Sequence, residues 1–116
     1  MAVRHRRADL DGGLQVKLLV ASGGATITRA TGPAFQDADI TSVKNGTGDY
    51  TVTINPFKGP AGEIYVNTTA LHATLKLYTV IKSITYTNDS VAINILAFDE
   101  GGTAQEAAIF VNAYAE

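Results

Sequence analysis

Period-two alternation, repeated between turn signals, is the feature that most limits what this chain can become. It is clearest in Asn45-Gly46-Thr47-Gly48-Asp49-Tyr50-Thr51-Val52-Thr53-Ile54. Asn45-Gly46 is a turn signal, because both residues tolerate positive φ, and Gly48 adds a second joint. From Tyr50 the pattern is strict. Tyr50, Val52 and Ile54 share one face, and Thr51, Thr53 and Asn55 share the other. β-Branched and aromatic residues at that period make a half-buried strand, since successive side chains leave opposite sides of the pleat.

The same grammar recurs along the chain. Leu14, Val16, Leu18 and Val20 share a strand face that ends at Ser22-Gly23-Gly24, and a return strand is expected over Ala25 to Ala30. Thr31-Gly32-Pro33 breaks the chain, and a short strand over Ile40 to Lys44 precedes the turn at Asn45. Asn55-Pro56 stops the next strand, because proline has no N–H for a ladder, and Phe57 is expected to plug one end of the core. A strand is expected over Glu63 to Thr69. The alternation then continues with Leu71, Ala73, Leu75 and Leu77 on one face, and His72, Thr74, Lys76 and Tyr78 on the other. The phase changes between Leu77 and Ile84, which predicts a bulge or break within Thr79 to Lys82. After a turn at Thr87 to Ser90, Val91, Ile93 and Ile95 share a face. Asp99-Glu100-Gly101-Gly102 is a hairpin loop. The last strand, Ala107 to Ala115, sets Phe110, Asn112 and Tyr114 against Ile109, Val111 and Ala113. The whole is expected to be all-β: an antiparallel β-sandwich or jelly-roll-like domain of eight or nine short strands over residues 14–116. Several strands are apolar on both faces, which suits a sandwich whose outer face meets another subunit.

Composition narrows the chemistry. With 116 residues the chain has the size of one domain. It has no Cys, hence no disulfide, thiolate nucleophile or thiolate metal site. The formal charge of −2 does not by itself call for a nucleic-acid or membrane partner, and no apolar run approaches a bilayer span. Charge is segregated, however. Arg4, Arg6 and Arg7 lie in a basic N-terminal arm, residues 1–13, whereas the chain from Asp37 onward carries nine acids and four bases. The arm is read as a frayed terminus or a tether to an acidic neighbour. Asp9, Asp11, Gly12 and Gly13 stand where a signal peptide would place its apolar segment. Gly23-Gly24 lacks the Gly-Lys-Ser/Thr ending of a phosphate loop, and Asp37, Asp39 and Asp49 lack the glycine and closing glutamate of a calcium loop. His72 is the one histidine outside the arm and is read as a surface or interface residue; a metal at a symmetry axis would need three copies of it. No nucleophile, base and orienting group stand together in the pattern, and there is no Trp for a sugar platform. The expectation is a non-enzyme without cofactor or metal.

The run Ile40 to Ile54 resembles a module of bacteriophage virion proteins with the pattern SV-x-x-x-GTG-x-YTVTF. Ser42-Val43, Gly46-Thr47-Gly48, Tyr50-Thr51-Val52-Thr53 and Asn55-Pro56-Phe57 carry the likeness. The closing strand Ile109-Phe110-Val111-Asn112-Ala113-Tyr114 extends it across residues 39–116. Ile54 stands where that pattern often has Phe, an exchange on a strand face, and two residues, Lys44-Asn45, stand where the pattern has three. The resemblance implies a homotrimeric β-sandwich without catalytic residues. A chain starting at this Met, with room for an arm and one domain, suits a capsid decoration (cement) protein that binds the major capsid protein on the virion surface. The alternative is a tail- or head-fibre tip whose loops Phe57 to Gly62 and Asp99 to Thr103 contact a host glycan. The expected shell contacts are Arg4, Arg6, Arg7, Leu14, Val16 and Leu18. The expected trimer contacts are Phe110, Tyr114, His72 and Tyr78.

Overall fold

The computed structural model describes residues 15–31, 39–57 and 64–115. They form β1 (Gln15–Val20), β2 (Thr26–Thr31), β3 (Asp39–Gly46), β4 (Asp49–Asn55), β5 (Ile64–Leu71), β6 (Leu77–Thr87), β7 (Ser90–Asp99) and β8 (Ala108–Ala115). Two antiparallel sheets result, ordered β2-β1-β8-β5 and β3-β4-β7-β6. The β1–β2, β3–β4 and β6–β7 connections are hairpins within one sheet. These sheet orders make a two-sheet antiparallel sandwich, and they do not by themselves establish jelly-roll connectivity.

The inward residues are those set by the alternation. Val16, Leu18 and Val20 of β1 meet Ile109, Val111 and Ala113 of β8 on one inner face. Tyr50, Val52 and Ile54 of β4 and Val91, Ile93 and Ile95 of β7 form the other. All belong to one apolar cluster, which Phe57 closes at its end with its ring 6.2 Å from that of Tyr86. The period-two sequence thus becomes two pleated faces, each giving alternate residues to a shared interior.

Hydroxyl groups join the sheets along their edges. Thr26 and Ser42 contact each other at 2.7 Å between β2 and β3, and Thr68 donates to Thr79 at 2.8 Å between β5 and β6. The Tyr50 hydroxyl lies inside. It donates to the Ser22 carbonyl (2.8 Å) and accepts the Ala107 N–H (3.3 Å), linking β4 to one end of the other sheet, where β1 ends and β8 begins.

Two local expectations change and a third is found as expected. The turn signal at Asn45-Gly46 is displaced: Gly46 pairs with Asp49, Thr47-Gly48 form the tip, and the register slips between Lys44 and Gly46. Gly48 is the residue with positive φ, at 68°. The alternation from Leu71 to Leu77 is not one strand. β5 ends at Leu71 and β6, in the opposite sheet, begins at Leu77. The His72 ring nitrogen Nδ1 accepts the N–H groups of Thr74 (3.1 Å) and Leu75 (3.0 Å), giving the departing backbone the partners a ladder would have supplied. The expected phase change is a bulge between Ile81 and Ser83, with Lys82 as the extra residue.

Candidate interaction surfaces

With the inward residues consumed by the core, the outer sheet faces hold what this fold offers a partner. On the β2-β1-β8-β5 sheet the ladder arranges them in rows. Thr69, Phe110 and Leu19 lie side by side, then Asn67, Asn112 and Lys17, then Tyr65 and Tyr114. Phe110 is 50% exposed and Tyr65 48%, high values for aromatic residues on a strand. Tyr65 and Tyr114 stack with ring centres 5.9 Å apart and planes 29° from parallel, and the Asn67 amide donates to the Tyr114 hydroxyl at 3.3 Å. The Asn112 Oδ1 is inaccessible yet has no hydrogen-bond partner among the described residues.

The outer face of the β3-β4-β7-β6 sheet has a different character. Its apolar part is Tyr78 stacked on Phe98 at 6.2 Å, with Val80 beside them. Its polar part is closed on itself. The Asn94 amide donates to Asp49 Oδ1 (2.7 Å) and to the Tyr50 carbonyl (2.9 Å). The Asn45 amide donates to Asp49 Oδ1 (3.2 Å) and Thr51 Oγ1 (2.7 Å). The amide of Asn94, then that of Asn45, with the charge of Lys82 in support, hold the Asp49 carboxyl below the ordinary carboxylate range. Near the tip of the β3–β4 hairpin, Lys44 and Glu106 form an ion pair.

The β7–β8 loop is organised by one carboxylate. Asp99 accepts the N–H groups of Gly101 (2.9 Å) and Thr103 (3.0 Å) on Oδ1, and the Gln105 amide (2.9 Å) on Oδ2. The bond from Thr103, followed by that from Gln105, lowers the pKa of Asp99. A group whose pKa is depressed on folding contributes stability above its unfolded pKa, and that contribution is lost as pH falls through the folded one. Asp99→Asn is therefore expected to lower the thermal midpoint at neutral pH, and the difference from the wild type is expected to close in acid. Parallel melting curves across that range check this; a pH-independent difference would contradict it. Leu75, Lys76, Asp99, Glu100, Gly101 and Thr103 line a shallow depression of about 300 Å³ beside this loop.

The residues singled out from sequence are dispersed. Arg4, Arg6, Arg7 and Leu14 lie outside the described residues. Val16 (0% exposed) and Leu18 (3%) point into the core, so their side chains are not available to a shell. The apolar face of β1 that the alternation picks out is spent on the core, and Lys17 and Leu19 look outward instead. Phe110 and Tyr114 share one outer face, Tyr78 occupies the opposite one, and His72 sits in the β5–β6 connection. The four do not form one surface. Sequence reasoning missed Tyr65 and Asn67, which only the β5–β8 pairing brings beside Tyr114 and Asn112. Among the described residues no group of three His, Asp or Glu side chains comes together in a way that could hold a metal ion.

The fold and its faces define an antiparallel two-sheet β protein with exposed aromatic side chains on both outer faces. Compared with protein families, with curated proteins and with solved structures, the chain gave no match.

Proposed function

We propose that this chain is a capsid decoration (cement) protein of a bacteriophage virion. It sits on the outer shell as a homotrimer and ties major capsid subunits together against internal pressure. The observation that carries the reading is the placement of exposed Tyr65, Leu71 and Phe110 on one broad sheet face and Val43, Tyr78 and Val80 on the other. Such faces suit contact by area. Holding a shell together needs area contacts repeated by symmetry, where several modest interfaces act jointly. The likeness of the run Ile40 to Ile54 to a virion module supports it as well. In this reading the basic residues Arg4, Arg6 and Arg7 meet the shell together with the outward side chains of β1.

Deleting residues 2–12 is expected to weaken binding of the purified protein to shells that lack it, while its oligomeric state stays the same. Co-sedimentation with such shells reads the effect, and undiminished binding would remove the arm from the account.

The second reading, a fibre tip that contacts a host glycan, is favoured by the depression beside the Asp99 loop. There the contact would run through Asp99 to Thr103, and substitutions in that loop would reduce adsorption to host cells. A decoration protein would tolerate them.

A further inference from the structure

We propose that His72 is a pH-operated latch on the β5–β6 connection, and that protonating it moves one wall of the depression beside the Asp99 loop. The inference goes beyond the decoration reading and does not depend on it.

The chain changes sheets between Leu71 and Leu77. Residues 72–76 are exposed, and none belongs to the apolar cluster of the core. What folds this stretch back is the pair of bonds from the Thr74 N–H (3.1 Å) and the Leu75 N–H (3.0 Å) to His72 Nδ1. Among the described residues no backbone–backbone hydrogen bond outside the ladders adds to them here. A ring nitrogen that accepts N–H groups carries no proton, so the imidazole is neutral with its hydrogen on Nε2. The arrangement is that of an Asx turn with a ring nitrogen in place of the carbonyl oxygen. The replacement matters. An Asn oxygen accepts at any pH, whereas imidazole is the side chain whose charge changes near neutrality.

A proton on Nδ1 removes the acceptor and sets three N–H groups against one another. The Thr74 and Leu75 amides then turn to water, which already surrounds them, and the connection opens while the sandwich stays folded. Leu75 and Lys76 form one wall of the depression, and Asp99, Glu100, Gly101 and Thr103 form the other. The second wall does not follow. Asp99 accepts from Gly101, Thr103 and Gln105, and the bonds from Thr103 and then Gln105 lower its pKa, so it stays ionised while the ring takes up its proton.

The charged groups around the latch are few. On the connection itself there is Lys76, and across the depression there are Asp99 and Glu100. β5 and β8 carry no charged residue, and Lys82 of β6 lies at the bulge. Lys76 Nζ is 3.9 Å from Glu100 Oε2, with both side chains exposed. Such a pair contributes little, so it does not hold the wall once Nδ1 stops accepting.

Amide-resolved NMR of the full chain, titrated from about pH 8 to about pH 5, tests this. The Thr74 and Leu75 amides are expected to shift with the same midpoint as the His72 ring signal and to lose protection from exchange. Contacts from the Leu75 side chain to the β7–β8 loop, read as nuclear Overhauser effects, are expected to weaken with them. The Gly101 and Thr103 amides are expected to stay in place. His72→Asn keeps an acceptor at the head of the turn and removes the titratable ring. In that variant the Thr74 and Leu75 amides are expected to hold still over the whole range. Wild-type amides that ignore the titration, or that move as far in His72→Asn, would overturn the inference, as would loop contacts of Leu75 that persist in acid. Should His72→Asn fail to fold, the wild type decides alone: Gly101 and Thr103 shifting as far as Thr74 and Leu75 would show general loosening in acid and no latch. None of these outcomes bears on shell binding, so this inference and the decoration reading fail separately.

Discussion

Truncation of Tyr50 to alanine is expected to cost about 3–5 kcal/mol, the range for removing a fully buried aromatic side chain. Tyr50 is 0% exposed and sits in β4 among Val52, Ile54 and the β7 residues. Its ring fills the space between the sheets. Its hydroxyl crosses that space to Ser22, at the β1–β2 turn, and to Ala107, just before β8. Tyr50→Phe separates the two contributions. It keeps the ring but leaves the Ser22 carbonyl and the Ala107 N–H without that partner, for an expected loss of about 1–3 kcal/mol. Against the 5–15 kcal/mol of a typical domain, the alanine variant would be marginal at best. Chemical denaturation of the three proteins measures both differences. A Tyr50→Phe variant as stable as the wild type would show that the hydroxyl does not hold the sheets together.

Gly48→Ala is the second large effect. Gly48 occupies the left-handed region at φ 68°, where a side chain costs about 1–2 kcal/mol. Conformation is the smaller part. A Cβ there would stand 2.4 Å from the Ala97 carbonyl oxygen and 2.9 Å from the Gln105 nitrogen. Both are backbone atoms, and the Gln105 N–H itself bonds the Ala97 carbonyl. The Gly48 carbonyl also accepts the Ala97 N–H at 2.8 Å. Making room for the methyl would push the β3–β4 hairpin away from the end of β7 and break that bond. The expected outcome is a loss larger than the conformational cost alone, with faster amide exchange at Ala97 and Gln105 than elsewhere in β7. A variant with wild-type stability would place the hairpin tip away from β7. Gly46 is the internal control, since nothing lies within 4 Å of a Cβ built there.

These two residues show why the fold could be read from the chain. Tyr50, Val52 and Ile54, Val91, Ile93 and Ile95, and Ile109, Val111 and Ala113 each keep strict period two, and each set is buried as that period requires. The bulge at Lys82 was visible for the same reason, as a change of phase. What could not be read were facts created by pairing. His72 ends a strand through its ring nitrogen, in a stretch with no Gly, Pro, Asn or Asp to mark a turn, and the alternation continues through it by coincidence. Asp49 and Asn94 lie 45 positions apart and meet only because β4 and β7 are neighbours. The same holds for the candidate surface. Phe110 and Tyr114 were legible as the outward side of the last strand. Their neighbours Leu19, Tyr65 and Asn67 required the strand order, and a one-residue error in the register of β1 or β5 would have turned every one of them inward. Tyr78, expected to share a contact surface with them, is separated from them by the two-sheet topology.

The proposed function is an arithmetic claim about a particle, because a protein that cements a shell must be present at the scale of the shell. The direct measurement is quantitative mass spectrometry of this chain against the major capsid protein in purified particles of the phage to which the proposal assigns it. Copies in a fixed, large ratio to the capsid protein are the expected result. A few trimers per particle, or none, would contradict it.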